Sequence, residues 1–243
     1  MTSYADLPVG SVDVLPSRAA VTWPDRAALR TTSSTVTFAE LDRAVSRLAF
    51  GLRQRLGGDG LTVAVAALPG THFPTAFYAI VRSGNVAAPV DPDLPSDAFA
   101  DFLAVTRARA AILGRAMYER VRPVLPASLE LVLLLDAPAE PGVLTCAELA
   151  TGGGLLVEPR DRDEREPAAI LSGLLTHQAL KCRAAAVNLT ADAVILTTTP
   201  FYDPITLSAA VLTGATQVLS RHDDHPASRP ATHVLTPSGL KAA

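Results

Sequence analysis

The stretch TTTPFYDP, Thr197–Pro204, sets a phenol and a carboxylate side by side between two prolines. It follows the apolar run AVILTT, which reads as a strand, so Tyr202 and Asp203 fall just past a strand's carboxyl end. In an open α/β sheet, ligands collect at that end. A phenol and a carboxylate that converge on a pocket there form a proton-transfer pair. The structural alternative is a proline-bounded turn whose aromatic rings cap the core. His177 is the other acid–base candidate, at the start of a helix predicted over Thr176–Asn188. A helix N-terminus disfavours the imidazolium and keeps the ring neutral. Packing at a helix start is the plainer role for the same residue.

Two further clusters carry less. RHDDHP, Arg221–Pro226, packs His222, His225, Asp223 and Asp224 into one short stretch. Catalytic metals recruit ligands from separate elements, so this reads as a solvated polar loop and no metal is expected. TGGGLL, Thr151–Leu156, lacks the strand–glycine–helix order of a phosphate cradle and reads as a helix end and loop. Cys146 and Cys182 match no metal spacing and read as reduced thiols of a cytoplasmic protein.

The elements that must position these residues alternate between two periods. In TFAELDRAVSRLAFGLRQRL, Phe38, Leu41, Val45, Leu48, Leu52 and Leu56 recur at three or four residues, the apolar stripe of a helix. Thr37 and Glu40 form a capping box at its start, and Thr145 with Glu148 forms a second one before a shorter helix. LTVAVAAL (Leu61–Leu68) is nearly all apolar, as expected of a strand covered on both faces. Helices over Thr71–Ser83, Ser96–Thr106 (Ser96 as N-cap), Arg115–Leu125 and Ile205–Leu212 alternate with strands at Val86–Val90, ARAAIL, LELVLLL, AAIL, ATQVLS and ATHVLT. This alternation predicts an α/β fold, a mainly parallel sheet flanked by helices. The charged, proline-bounded segment 158–167 divides it into an N-terminal α/β unit, 1–157, and a partial second unit, 168–243.

Composition excludes some classes of partner. A net charge of −3 and 5% aromatic residues give neither the basic surface nor the stacking platform that nucleic acid needs. The longest apolar run is well short of the roughly 18 residues of a membrane span. The first twenty residues carry Asp6 and Asp13 and no continuous apolar run, so no signal peptide is expected.

In collinear order, four segments resemble the N-terminal portion of the adenylate-forming superfamily: acyl-CoA synthetases, aryl-acid ligases and nonribosomal-peptide adenylation domains. They are the TFAEL helix start, AFYAIVRSGNVAAPVDPDLP (Ala76–Pro95), the PFYD segment with its following GATQVL strand, and ATHVLTPSGL. The resemblance implies an acyl or aryl pocket wall at Thr199 and Phe201, beside Tyr202 and Asp203.

One departure bears on activity. In that superfamily the strand matching AAIL runs into a Ser/Thr/Gly-rich loop ending in Pro-Lys-Gly, and such loops hold phosphate through N–H groups, hydroxyls and a lysine. Here Ser172-Gly173-Leu174-Leu175 leads directly to Thr176-His177. ATP and AMP binding are therefore expected to be lost, with Leu174 and Leu175 sealing the gap and His177 beside it. Segments expected beyond ATHVLTPSGL are also absent, which predicts an uncovered apolar edge closed by a homodimer or a protein partner. Two functions follow as expectations. One is a non-adenylating enzyme that cyclises, isomerises or transfers an acyl or aryl intermediate, free, CoA-bound or carrier-bound, through Tyr202, Asp203 and His177. The other is a non-catalytic docking protein for a carrier protein or a full-length ligase.

Overall fold

A computed structural model of the chain describes residues 7–57, 60–66, 70–135, 143–151, 162–197, 203–219, 231–236 and 239–243. Local sequence signals set the helices. Helix α1 spans Val14–Thr22 and α2 Phe38–Leu56. At the start of α2 the Thr37 hydroxyl accepts the Glu40 N–H at 3.2 Å and the Glu40 carboxylate accepts the Thr37 N–H at 2.8 Å, the reciprocal capping box. Its stripe Phe38, Leu41, Val45, Leu48, Leu52 and Leu56 is buried, and it stops at Gly57 in the left-handed region. Helices α3 (His72–Arg82), α4 (Ser96–Thr106), α5 (Arg115–Val121), α6 (Cys146–Ala150), α7 (His177–Ala186) and α8 (Pro204–Thr213) follow. Helix α6 carries the second capping box, on Thr145 and Glu148. The N-cap of α4 is Pro95, not Ser96, whose hydroxyl donates instead to the Arg120 carbonyl at 3.3 Å.

The strands are β1 (Ala27–Arg30), β2 (Thr35–Thr37), β3 (Thr62–Ala66), β4 (Val86–Pro89), β5 (Ala110–Leu113), β6 (Leu131–Leu134), β7 (Leu144–Thr145), β8 (Pro167–Ile170), β9 (Leu174–Thr176), β10 (Val194–Thr197), β11 (Thr216–Leu219), β12 (His233–Thr236) and β13 (Gly239–Ala242). They form two sheets, ordered β7-β6-β5-β3-β4-β8-β9 and β13-β12-β10-β11-β1-β2. Pairing is parallel except at the hairpins β1–β2, β8–β9 and β12–β13. Strands β4 and β5 are buried along their whole length, as all-apolar strands between two helical layers must be. The chain is therefore α/β, with mainly parallel sheets flanked by helices.

The sheets do not divide at 158–167. Strand β1 pairs with β11, and β4 with β8, so each sheet draws strands from both sides of that segment. Composition marks a solvated segment, but strand pairing across it is a tertiary choice that composition does not encode.

A buried arginine ties the first three helices together. Arg82, 1% exposed, ends α3. Its guanidinium donates to Ser46 at 2.7 Å, to the Asp13 carbonyl at 2.7 Å and to Ser17 at 2.8 Å. It also pairs with Asp42 at 2.8 Å and with the Asp13 carboxylate at 3.4 Å. A charge out of water is tolerated when its donors are matched in this way. Cys146 and Cys182 are not joined in a disulfide. Among the described residues no helix is long and apolar enough to cross a membrane.

Candidate functional site at the β8–β9 hairpin and helix α7

Leu174, Leu175 and Thr176 are not part of a turn. They form β9, which runs antiparallel to β8 with Ile170 opposite Leu174 and Ala169 opposite Leu175. The turn is only Leu171-Ser172-Gly173, and the Leu171 N–H donates to the Gly173 carbonyl at 2.9 Å. The expected apolar seal is thus half present. Leu175 is buried in the core, but Leu174 is 61% exposed because alternate residues of a strand face opposite ways.

Helix α7 starts directly after β9. Thr176 caps it, its hydroxyl accepting the Ala179 N–H at 3.1 Å. The His177 ring is fully buried. Its Nδ1 accepts the Val12 N–H at 3.2 Å, so the neutral ring carries its proton on Nε2, an atom with no hydrogen-bond partner among the described residues. Burial, with the Arg162 guanidinium adding to it, holds the imidazole pKa down to about 4. The ring is neutral, as its place at a helix N-terminus suggests, but enclosure is the main cause.

One turn further on, Lys181 is equally enclosed, at 1% exposure. Its ammonium donates to the Pro8 carbonyl at 2.5 Å, to the Gly10 carbonyl at 2.6 Å and to Glu164 at 2.7 Å. The same Glu164 oxygen accepts the Gly10 N–H at 2.8 Å, and the lysine's hydrogen bond lowers the carboxyl pKa. His177 and Lys181, four residues apart on one helix face, together clasp segment 8–12. Nothing local in the sequence singles out Lys181. The only hint is its i,i+4 spacing from His177, which does not name a partner more than 160 residues away.

Asp203 is the N-cap of α8. Its two carboxylate oxygens accept the Ile205 N–H at 3.0 Å, the Thr206 N–H at 3.1 Å and the Thr206 hydroxyl at 2.6 Å. Those bonds hold the helix start and orient the carboxylate toward its own backbone. Before it in the chain, β10 ends at Thr197, whose buried hydroxyl has no hydrogen-bond partner among the described residues. Thr199, Phe201 and Tyr202 lie outside the described residues, as do the 222–225 cluster and glycines 152–154. Among the described residues no group of three or more His, Cys, Asp or Glu side chains could hold a metal ion.

The sequence model of the AMP-binding enzyme family matches residues 16–236. The chain belongs to that family. The N-(5-amino-5-carboxypentanoyl)-L-cysteinyl-D-valine synthase of Amycolatopsis lactamdurans is 30% identical over 123 residues, which cover 50% of this chain and 3% of the synthase. The apo structure of MbtA from Mycobacterium smegmatis superposes with a TM-score of 0.73 at 27% identity, over 87% of this chain and 44% of that one. A long-chain-fatty-acid-CoA ligase from Archaeoglobus fulgidus shares the fold, with a TM-score of 0.79 at 20% identity over 88% of this chain and 47% of the ligase. The chain thus spans less than half of either solved relative and a small fraction of the synthase.

Proposed function

We propose that this chain is a non-adenylating member of the AMP-binding enzyme family, which holds an acyl or aryl group that arrives already activated on coenzyme A or a carrier protein. The three-residue turn Leu171–Gly173 carries the reading. A phosphate-binding loop needs several converging N–H groups, hydroxyls and a cation. This turn offers the Ser172 hydroxyl and two N–H groups, since the Leu171 N–H is bonded within it. Neither lysine supplies the missing charge: Lys181 is committed to segment 8–10 and Glu164, and Lys241 lies on β13 in the other sheet. On this reading the turn is a poor seat for the phosphates of a nucleoside triphosphate.

Holding or docking the intermediate has more support than transforming it. Proton transfer needs a carboxylate free to reach the substrate, and Asp203 spends both oxygens on the start of α8. It needs a base open to the pocket, and the His177 ring is enclosed. Calorimetry of the full chain with ATP–Mg, with an acyl-CoA or acyl carrier, and with the free acid tests the proposal. Binding of the activated form without heat from ATP is the expected pattern. Micromolar ATP binding, or ATP–pyrophosphate exchange with the free acid, overturns it.

A further inference from the structure

Away from the hairpin, the described surface carries a groove of about 280 Å³ between the C-terminal end of α4 and the segment before β6. Its floor is apolar, from Ala100, Leu103, Ala104 and Pro126. Because β8, β4, β3 and β5 run parallel, the groove lies at the N-terminal ends of the strands. The hairpin turn lies at their C-terminal ends, so the two places occupy opposite edges of one sheet.

Its rim is positively charged. Arg107 and Arg109 both line the groove. Arg109 forms an ion pair with Glu130. Arg107 is exposed and, among the described residues, has no carboxylate partner. Two guanidiniums against one carboxylate leave one positive charge unmatched beside an apolar floor. Arg107 also ends α4 with φ of 53°, in the left-handed region where glycine or asparagine is the usual choice. The chain keeps a long cationic side chain where the backbone would be easier without one.

We propose that this groove binds a small monocarboxylate with an apolar body, a single aryl ring or a short acyl chain, its carboxylate on Arg107 and its body on the floor. Size and charge together select that class. The volume is at the small end for ligand pockets, which fits one ring or a short chain better than a nucleotide or a peptide helix. A guanidinium matches a carboxylate through two parallel hydrogen bonds, and Ser128 also lines the groove.

The experiment is a titration of the isotope-labelled full chain with benzoate and with hexanoate, followed by amide chemical shifts, with benzamide and hexanamide as uncharged controls. Saturable shifts centred on Ala104, Arg107 and Ser128 are expected, at least tenfold weaker with the amides. Arg107→Gly separates ligand binding from helix capping. It frees the left-handed position of strain, so thermal stability holds or rises while carboxylate affinity falls at least tenfold. Ala104→Trp fills the groove and abolishes the shifts. Shifts centred elsewhere, equal binding of the amides, or an Arg107→Gly variant that binds as the parent does each overturn the assignment. Because the groove is remote from the β8–β9 turn, none of these outcomes alters the result expected with ATP.

Discussion

The backbone N–H of Val12 donates to Nδ1 of His177 at 3.2 Å, across 165 residues of chain. This bond fixes the tautomer and gives the imidazole a structural duty. With its pKa near 4, below the roughly 6.5 of an unfolded histidine, the ring stays neutral in the fold while the unfolded chain takes up a proton. Stability is therefore full above pH 6.5 and falls as the pH drops toward 4, by roughly 3 kcal/mol in all. Arg162 and Lys181 beside the ring oppose its charging, and Glu164 and Glu166 favour it less strongly. Urea unfolding at intervals between pH 7 and 4 measures the slope. His177→Asn, which keeps an acceptor but does not titrate, flattens it; an unchanged slope would assign the loss to other groups.

Removing the Lys181 ammonium strands two buried carbonyls and a carboxylate. Lys181→Met is expected to cost about 3 kcal/mol, in the range for breaking one side of a buried pair. Adding Glu164→Gln recovers part of this, because it removes the unpaired charge. Hydrogen exchange is the sharper readout: the amides of Gly10 and Val12 exchange faster in Lys181→Met than in the parent. Equal protection in both would mean that the lysine does not hold the segment.

Asp203→Ala removes the cap of α8 and is expected to cost about 1 kcal/mol in thermal or urea unfolding. Asp203→Asn keeps an accepting oxygen and stays within about 0.5 kcal/mol of the parent. The asparagine variant also decides the chemistry. If Asp203 only caps, an activity present in the parent survives in Asp203→Asn, and loss of that activity in a stably folded variant restores the proton-transfer role.

Gly51 faces Leu149 at the contact of α2 with α6. An added Cβ would sit 2.5 Å from the Leu149 side chain and 2.5 Å from its carbonyl oxygen. The side chain can turn aside but the carbonyl cannot, so Gly51→Ala is expected to destabilise by roughly 1–3 kcal/mol. Leu149→Ala in the same chain relieves little of it. A melting temperature for Gly51→Ala equal to the parent's would show that α6 shifts freely.

The fold is legible in the sequence where the signal is local. Thr37 with Glu40, and Thr145 with Glu148, are i,i+3 pairs whose geometry follows once the helix begins, and both boxes form. The stripe of α2 and the all-apolar strands follow from period and burial in the same way. Helix α1 escapes a reading by period because its apolar residues form no clear stripe and Pro16 sits near its start. Leu174 and Leu175 read as a turn because they directly precede Thr176, which is both the last residue of β9 and the cap of α7, and only pairing with β8 reveals a strand. The duties of His177, Lys181 and Arg82 are hidden for a related reason. Each depends on partners brought together by folding, and no spacing within the chain encodes them. The cap at Asp203 is legible in principle, since aspartate before proline and threonine at a helix start is a capping pattern. Its place after two aromatic residues makes a chemical role the more obvious reading.

The interleaving of the two sheets sets a timetable for synthesis. Strand β1 finds its parallel neighbour in β11, and the Thr216 hydroxyl that bonds the Ala27 carbonyl belongs to a residue 189 positions later. At about 5–20 residues per second, β1 waits roughly 10–40 s after leaving the ribosome before that neighbour exists. Throughout that interval the hairpin β1–β2 and the apolar stripe of α2 must be shielded by something other than their final sheet. The newborn chain is thus expected to depend on holding chaperones.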